Sequence, residues 1–163
     1  MRDVTTLSRE QLIERLVDHQ RHPRHRGAMP DADIVVGAGN PGCGDVVSVH
    51  LKVAPDGEHI EAVTFEGSGC TISQGAASLL TQQINRTRPT LAEVRALTLE
   101  GHLGMVGREV VGFRERCAAV GLDALQGAVK ALEVERGLVA AGYTPEEARR
   151  LRLRAQSPDR RSP

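Results

Sequence analysis

The chain has 163 residues and a formal net charge of zero. It is sized for one domain with a genuine core and carries no global field to recruit nucleic acid or a membrane surface. With no Trp, one Tyr and two Phe, it has few platforms for stacking bases, and its core must come from Leu, Val, Ile and Ala. In chain order, Ser8 is expected to cap a first helix with Gln11 at N3, while Leu7 and Leu12 have the spacing of a hydrophobic staple. Leu12, Ile13, Leu16 and Val17 form its apolar stripe, and Pro23 ends it in a basic loop that holds His19, His22, Arg24, His25 and Arg26. This loop reads as a solvated or partner-facing surface.

Val47, Val49, Leu51 and Val53 alternate with Ser48, His50 and Lys52, the pattern of a half-buried strand that leaves His50 on its open face. Pro55-Asp56-Gly57 turns the chain into a second strand over about His59 to Phe65, making an antiparallel hairpin, and residues 34–37 supply a third strand. From Ile72 the period becomes helical, with Ala76, Leu79, Leu80 and Ile84 on one side. Thr90 and Glu93 form a capping box for a helix through about Leu99, after which Gly101, Gly104 and Gly107 should loosen the chain. A long helix follows from about Asp123 to Val139. Thr144, Pro145 and Glu147 open a last helix crowded with arginines, and residues 156–163 read as disordered. The fold class is therefore α+β, a small antiparallel three-stranded sheet packed against several helices. Residues 1–143 form the main domain, and 144–163 an arginine-rich helix with a tail.

The three cysteines stand apart from this apolar periodicity. Cys43 lies in the turn Asn40-Pro41-Gly42-Cys43-Gly44-Asp45, with a carboxylate two residues on. Cys70 follows Gly67-Ser68-Gly69 at a helix start, where the dipole and free N–H groups favour a thiolate. Cys117 sits at the mouth of another helix beside Arg114 and Arg116, again a setting for a thiolate. No C-x-x-C pair exists, so a zinc finger is excluded. Without a signal peptide or an apolar run of about 18 residues, an odd cysteine count argues for a reducing cytoplasm and for metal or redox chemistry.

Three thiolates and Asp45 can complete a tetrahedral Zn²⁺ shell or hold iron at the edge of an iron–sulfur cluster. The hard oxygen of Asp45 among soft sulfurs suits a site that must open or exchange. Each residue alone also reads blandly: Asp45 as a turn acceptor, Cys70 as a small buried residue, Cys117 on a charged helix edge. His102, in the glycine-rich stretch, is an outside candidate for a ligand or for the base of a cysteine nucleophile.

These segments resemble the iron–sulfur cluster scaffold family, the U-type proteins of the Isc, Suf and Nif systems, over about residues 8 to 135. The resemblance rests on the loop from Asp18-His19 to Gly27, on Asn40 to Asp45, on Phe65-Glu66-Gly67-Ser68-Gly69-Cys70-Thr71-Ile72-Ser73, and on Arg116-Cys117-Ala118. The Phe65–Ser73 segment, the Asn40-Pro41 step and Arg114 lean to the zinc-containing Suf type. Arg116 stands where the Isc type has a histidine, and Val110–Arg114 lacks the Isc chaperone segment. The link from Cys70 to Cys117, in contrast, is nearer the Isc length.

The resemblance implies a scaffold and sulfur acceptor, not itself an enzyme, that takes persulfide sulfur from a pyridoxal-phosphate (PLP) cysteine desulfurase and serves downstream cluster scaffolds or carriers. Neither nucleic acid nor membrane is an expected partner. In the zinc-type account Zn²⁺ rests on Cys43, Asp45, Cys70 and Cys117, and Cys43 accepts sulfur with Arg114 in support. In the Isc-type account the same residues hold a transient [2Fe–2S] cluster and Cys117 is the acceptor. A zinc-stabilised binding module without sulfur transfer is the alternative.

Overall fold

The alternation Val47, Val49, Leu51, Val53 becomes, in a computed structural model that describes residues 7–156, the central strand of a three-stranded antiparallel sheet. In chain order the elements are α1 (Arg9–Arg21), β1 (Ile34–Asn40), β2 (Asp45–Val53), β3 (Ile60–Ser68), α2 (Thr71–Thr87), α3 (Leu91–Arg95), α4 (Leu99–Val106), α5 (Arg108–Val111), α6 (Glu115–Ala140) and α7 (Pro145–Gln156). The four alternating side chains are buried with Ile60, Val63 and Phe65 of β3, on the face that α6 covers. Each such side chain contributes about 1.5–3 kcal/mol relative to exposure. The α+β expectation holds, and the third strand runs through Asn40, past the 34–37 expected.

The first helix has the expected capping box, with Ser8 Oγ accepting from the Gln11 N–H at 3.2 Å and Gln11 Oε1 from the Ser8 N–H at 2.9 Å. Leu12 and Leu16 are buried, but Ile13, placed on the apolar stripe from sequence, is 37% exposed. Space on the α1–α2 contact is tight: a Cβ on Gly75 would lie 2.7 Å from Leu16 O. Leu16, Ala76, Leu79, Leu103, Val106 and Ala118 form a second apolar cluster joining α1, α2, α4 and α6.

Two sequence expectations fail between residues 90 and 123. The helix opened by Thr90 ends at Arg95, short of Leu99. Gln126 of α6 explains the stop, because its Nε2 donates to Val94 O at 3.1 Å and to Leu97 O at 2.8 Å. Those carbonyls are satisfied from outside, and Thr98 then caps α4 through the Gly101 N–H. The glycine stretch expected to loosen the chain is α4 itself, carrying Gly101 and Gly104 and ending at Gly107. Burial of Leu103 and Val106 outweighs the low helix propensity of glycine. The long helix also begins eight residues earlier than expected, at Glu115, so Cys117 is inside its first turn.

Two histidines are corrected as well. His19, read as part of a solvated loop, is 4% exposed, with Nδ1 2.8 Å from Ser78 Oγ. His50, read as lying on an open face, is covered by the loop before β1, where the Met29 N–H donates to its Nδ1 at 3.3 Å. The rest of the loop after α1 runs along β3, with the Gly27 N–H on Phe65 O and the Phe65 N–H on His25 O. His22, His25 and Arg26 remain exposed.

Thr144, Pro145 and Glu147 open α7 as expected, the Glu147 carboxylate accepting from the Thr144 N–H at 2.8 Å. The helix packs on α6 through Ala148 and through Arg152, which is buried and donates from Nε to Glu135 at 2.6 Å. Gln156 closes α7, and the rest of the segment expected to be disordered lies outside the described residues.

Candidate metal centre

The sheet register brings the site together. Asn40 pairs with Asp45 at the end of the β1–β2 ladder, and Val46 pairs with Ser68 at the end of β3. The β1–β2 turn and the step from β3 into α2 therefore lie side by side. Asn40 O accepts from the N–H groups of Cys43 and Gly44, and Gly44 closes the turn at φ +69°, a conformation that favours glycine. This hairpin presents the Cys43 thiol, which is exposed, beside Asp45, which is 1% exposed.

The ligand atoms of Cys43, Asp45 and Cys117 all lie within 4.8 Å of one another. Cys117 Sγ is 3.5 Å from Cys43 Sγ and 3.6 Å from Asn40 Nδ2. Cys70 is at the N-cap of α2, where its Sγ accepts from the Ser73 N–H at 3.5 Å, and it is not among those three mutually close groups. Cys70 reaches the site through its backbone, its N–H donating to Asp45 Oδ1 at 2.8 Å. All three cysteines are free.

Asp45 is anchored on one oxygen only. Oδ1 accepts from the Cys70 N–H and from the Ser73 hydroxyl at 3.0 Å, whereas Oδ2 is buried without a hydrogen-bond partner. Burial opposes ionisation of this carboxyl, but the bond from the Cys70 N–H, the Cys117 thiol, Ser73 and the Cys70 thiol together hold it below the ordinary carboxylate range. An ionised carboxylate with one oxygen buried and unpartnered, grouped with two thiols, fits a divalent cation better than it fits an empty interior. Two sulfurs and one oxygen suit zinc, and Cys70 is the neighbouring thiol available as a fourth donor.

The cysteines are not equivalent. Burial pushes the Cys117 thiol up to about 12, with Asp45, Cys43 and Cys70 adding to the effect. Sequence placed a thiolate there on account of Arg114 and Arg116, but both arginines are exposed. Arg114 serves the site through its backbone, its carbonyl accepting from the Cys117 N–H at 3.0 Å. His102 is buried, but its Nε2 is 2.8 Å from the carbonyl oxygen of Ala118, the residue after Cys117, and it is outside the three-residue group. A hydrolase reading thereby loses its base.

Ser73 and Asn40 were given no role from sequence, although both lie in motifs that stood out. The signal was positional: Ser73 is three residues after a helix cap, and Asn40 precedes the turn by one. No helix among the described residues is long and apolar enough to cross a membrane.

Comparison with known proteins adds relatives to this geometry. The family described as NifU-like N terminal domain matches residues 12–137. The zinc-dependent sulfurtransferase SufU of Bacillus subtilis is 44% identical over 69 residues, a match that spans 42% of this chain and 45% of that protein. The chain thus aligns with less than half the length of that relative. The iron-sulfur cluster assembly scaffold protein IscU of Aquifex aeolicus is 31% identical over 129 residues, covering 77% of this chain and 78% of that one. Among solved structures, a putative iron-sulfur cluster assembly scaffold protein for the SUF system from Fervidobacterium islandicum has a TM-score of 0.58 at 22% identity, covering 71% of this chain and 94% of that one. A nitrogen-fixing NifU-like protein (N-terminal) from Brucella abortus has a TM-score of 0.60 at 17% identity, covering 74% and 92%. Both structural likenesses bear on the fold.

Proposed function

The chain belongs to the NifU-like N-terminal domain family, and we propose that it is an iron–sulfur cluster assembly protein that accepts sulfane sulfur from a PLP-dependent cysteine desulfurase on Cys43. The observation that carries this reading is the asymmetry of the pair: Cys43 is exposed at a hairpin tip, and its Sγ is 3.5 Å from the buried Cys117. Sulfur arriving from a partner meets Cys43 first. Arg114, exposed one turn from Cys117, lies on the partner's side of the site in this account.

The step is thiol exchange. The Cys43 thiolate attacks the outer sulfur of the desulfurase persulfide, the bond between that sulfur and the enzyme's own sulfur breaks, and the enzyme's thiolate leaves with the electron pair. Cys43 then carries the persulfide. The residues that would hold a resting Zn²⁺ are Cys43, Asp45, Cys117 and Cys70; bound there, the ion lowers thiol pKa and keeps the sulfurs reduced. Asp45, the hard donor, would be the most readily exchanged of these ligands.

The relatives include a zinc-dependent sulfurtransferase and a cluster assembly scaffold protein, and in this reading the same residues of this chain also accept a nascent [2Fe–2S] cluster as cargo for downstream carriers. The working domain is residues 1–143, to which α7 is an appended helix, and three free thiols suit a reducing cytoplasm. A zinc-stabilised binding module without sulfur transfer has no use for an exposed ligand thiol. Desulfurase turnover tests the reading: the protein should accelerate cysteine desulfuration, and Cys43→Ser should not.

A further inference from the structure

Resting on that reading of the site, we propose that Ser73 is a positioning residue that fixes Asp45 so that Oδ2 alone is offered to the metal. The Ser73 hydroxyl is fully buried and lies 3.0 Å from Asp45 Oδ1 and 3.0 Å from Cys70 O. It has one hydrogen for two acceptors, and a bond to an ionised carboxylate is about twice as strong as one to a neutral carbonyl. Gln74 Nε2 donates to the Ser73 oxygen at 3.5 Å, so the hydroxyl accepts there and its own hydrogen is left for one of the two acceptors.

With the Cys70 N–H at 2.8 Å, Oδ1 is held from two directions and the carboxylate cannot rotate freely about its last bond. Oδ2 is left buried and unpartnered, on a carboxylate that is grouped within 4.8 Å with the Cys43 and Cys117 sulfurs. Gly69 shows how closely this corner is fitted. A Cβ there would come 2.3 Å from Asp45 Oδ1 and 2.6 Å from Ser73 Oγ. Groups that orient a ligand in this way set metal affinity without touching the metal.

The test is zinc affinity of the full chain by competition with a chromophoric chelator, in four proteins: wild type, Ser73→Ala, Asp45→Ala and the double variant. Ser73→Ala should weaken Zn²⁺ binding by about tenfold or more when Asp45 is present. It should change nothing further in the Asp45→Ala background, because the residue acts only through that carboxylate. Thermal unfolding of the metal-free proteins measures any general loss of stability separately. An equal loss in both backgrounds would make Ser73 a packing residue and overturn the proposal. Unchanged or tighter binding in Ser73→Ala would overturn it too, since Oδ1 would then be the ligand atom. If those results came with normal desulfurase stimulation, the positioning role alone would fall. Wild-type protein that binds no zinc and stimulates no desulfurase would remove the function and this inference together.

Discussion

Cys43 Sγ and Cys117 Sγ are 3.5 Å apart, yet one thiol is open to solvent and the other is 2% exposed. The two sulfurs can share a ligand or exchange a sulfur atom, but only one can meet a partner's side chain. Desolvation beside Asp45 keeps the Cys117 thiol protonated in the metal-free protein, up to about 12.

Alkylation reads that difference directly. In metal-free protein near neutral pH, iodoacetamide should modify Cys43 at least about tenfold faster than Cys117, since the thiolate is the reactive form. Peptide mass mapping against time gives both rates. Loading zinc should protect both residues, and protection of neither would remove them from the metal site.

Asp45→Ala should weaken zinc binding and slow sulfur delivery, and it should lengthen the life of a reconstituted cluster. The labile oxygen donor is gone in that variant. Decay of the visible absorbance in air measures the cluster lifetime. Unchanged lifetime and unchanged delivery would reduce Asp45 to a turn residue.

His19 sets a pH dependence of its own, outside the Cys43–Asp45–Cys117 group. Burial lowers its imidazole to about 4 from an ordinary 6.5, with Arg24 and Arg15 adding and Asp18 opposing. The unfolded chain therefore binds a proton below 6.5 that the folded chain refuses until about 4. Stability should fall as pH drops through that window, by at most about 3 kcal/mol from this group. Denaturant melts of wild type and His19→Gln, subtracted at each pH, isolate the effect; parallel curves from pH 7 to pH 4 would contradict it.

Arg152→Ala should loosen α7. The side chain is 6% exposed and its Nε is 2.6 Å from Glu135, so the substitution strands a carboxylate that is mostly covered. The cost should be about 1.5–3 kcal/mol, the range for a hydrogen bond to a charged group. It should emerge as faster amide exchange in α7 before the core opens. Exchange in α7 equal to wild type would show the pair to be inert.

Features decided by neighbours in sequence could be read from it. The Ser8–Gln11, Thr90–Glu93 and Thr144–Glu147 caps are local chemistry, and so is the alternation of β2. That Cys43, Asp45, Cys70 and Cys117 belong to one site was read from residue type and local setting, and the fold groups Cys43, Asp45 and Cys117 with Cys70 beside them. Features decided by distant elements were hidden. Gln126 stops α3 from 31 residues away along the chain, and Ser78 and Met29 bury two histidines that looked exposed. The same holds for Ser73: its contact with Asp45 exists only once β2 and α2 are side by side.

The central claim is that sulfur enters at Cys43, and mass spectrometry tests it most directly. The protein is incubated with its cognate desulfurase and cysteine, desalted under non-reducing conditions, and its intact mass and peptides are read. The account predicts one added sulfur or more on wild-type protein, mapped to Cys43, retained in Cys117→Ser and lost in Cys43→Ser. A persulfide that survives Cys43→Ser, or no persulfide on the wild-type chain, would contradict it.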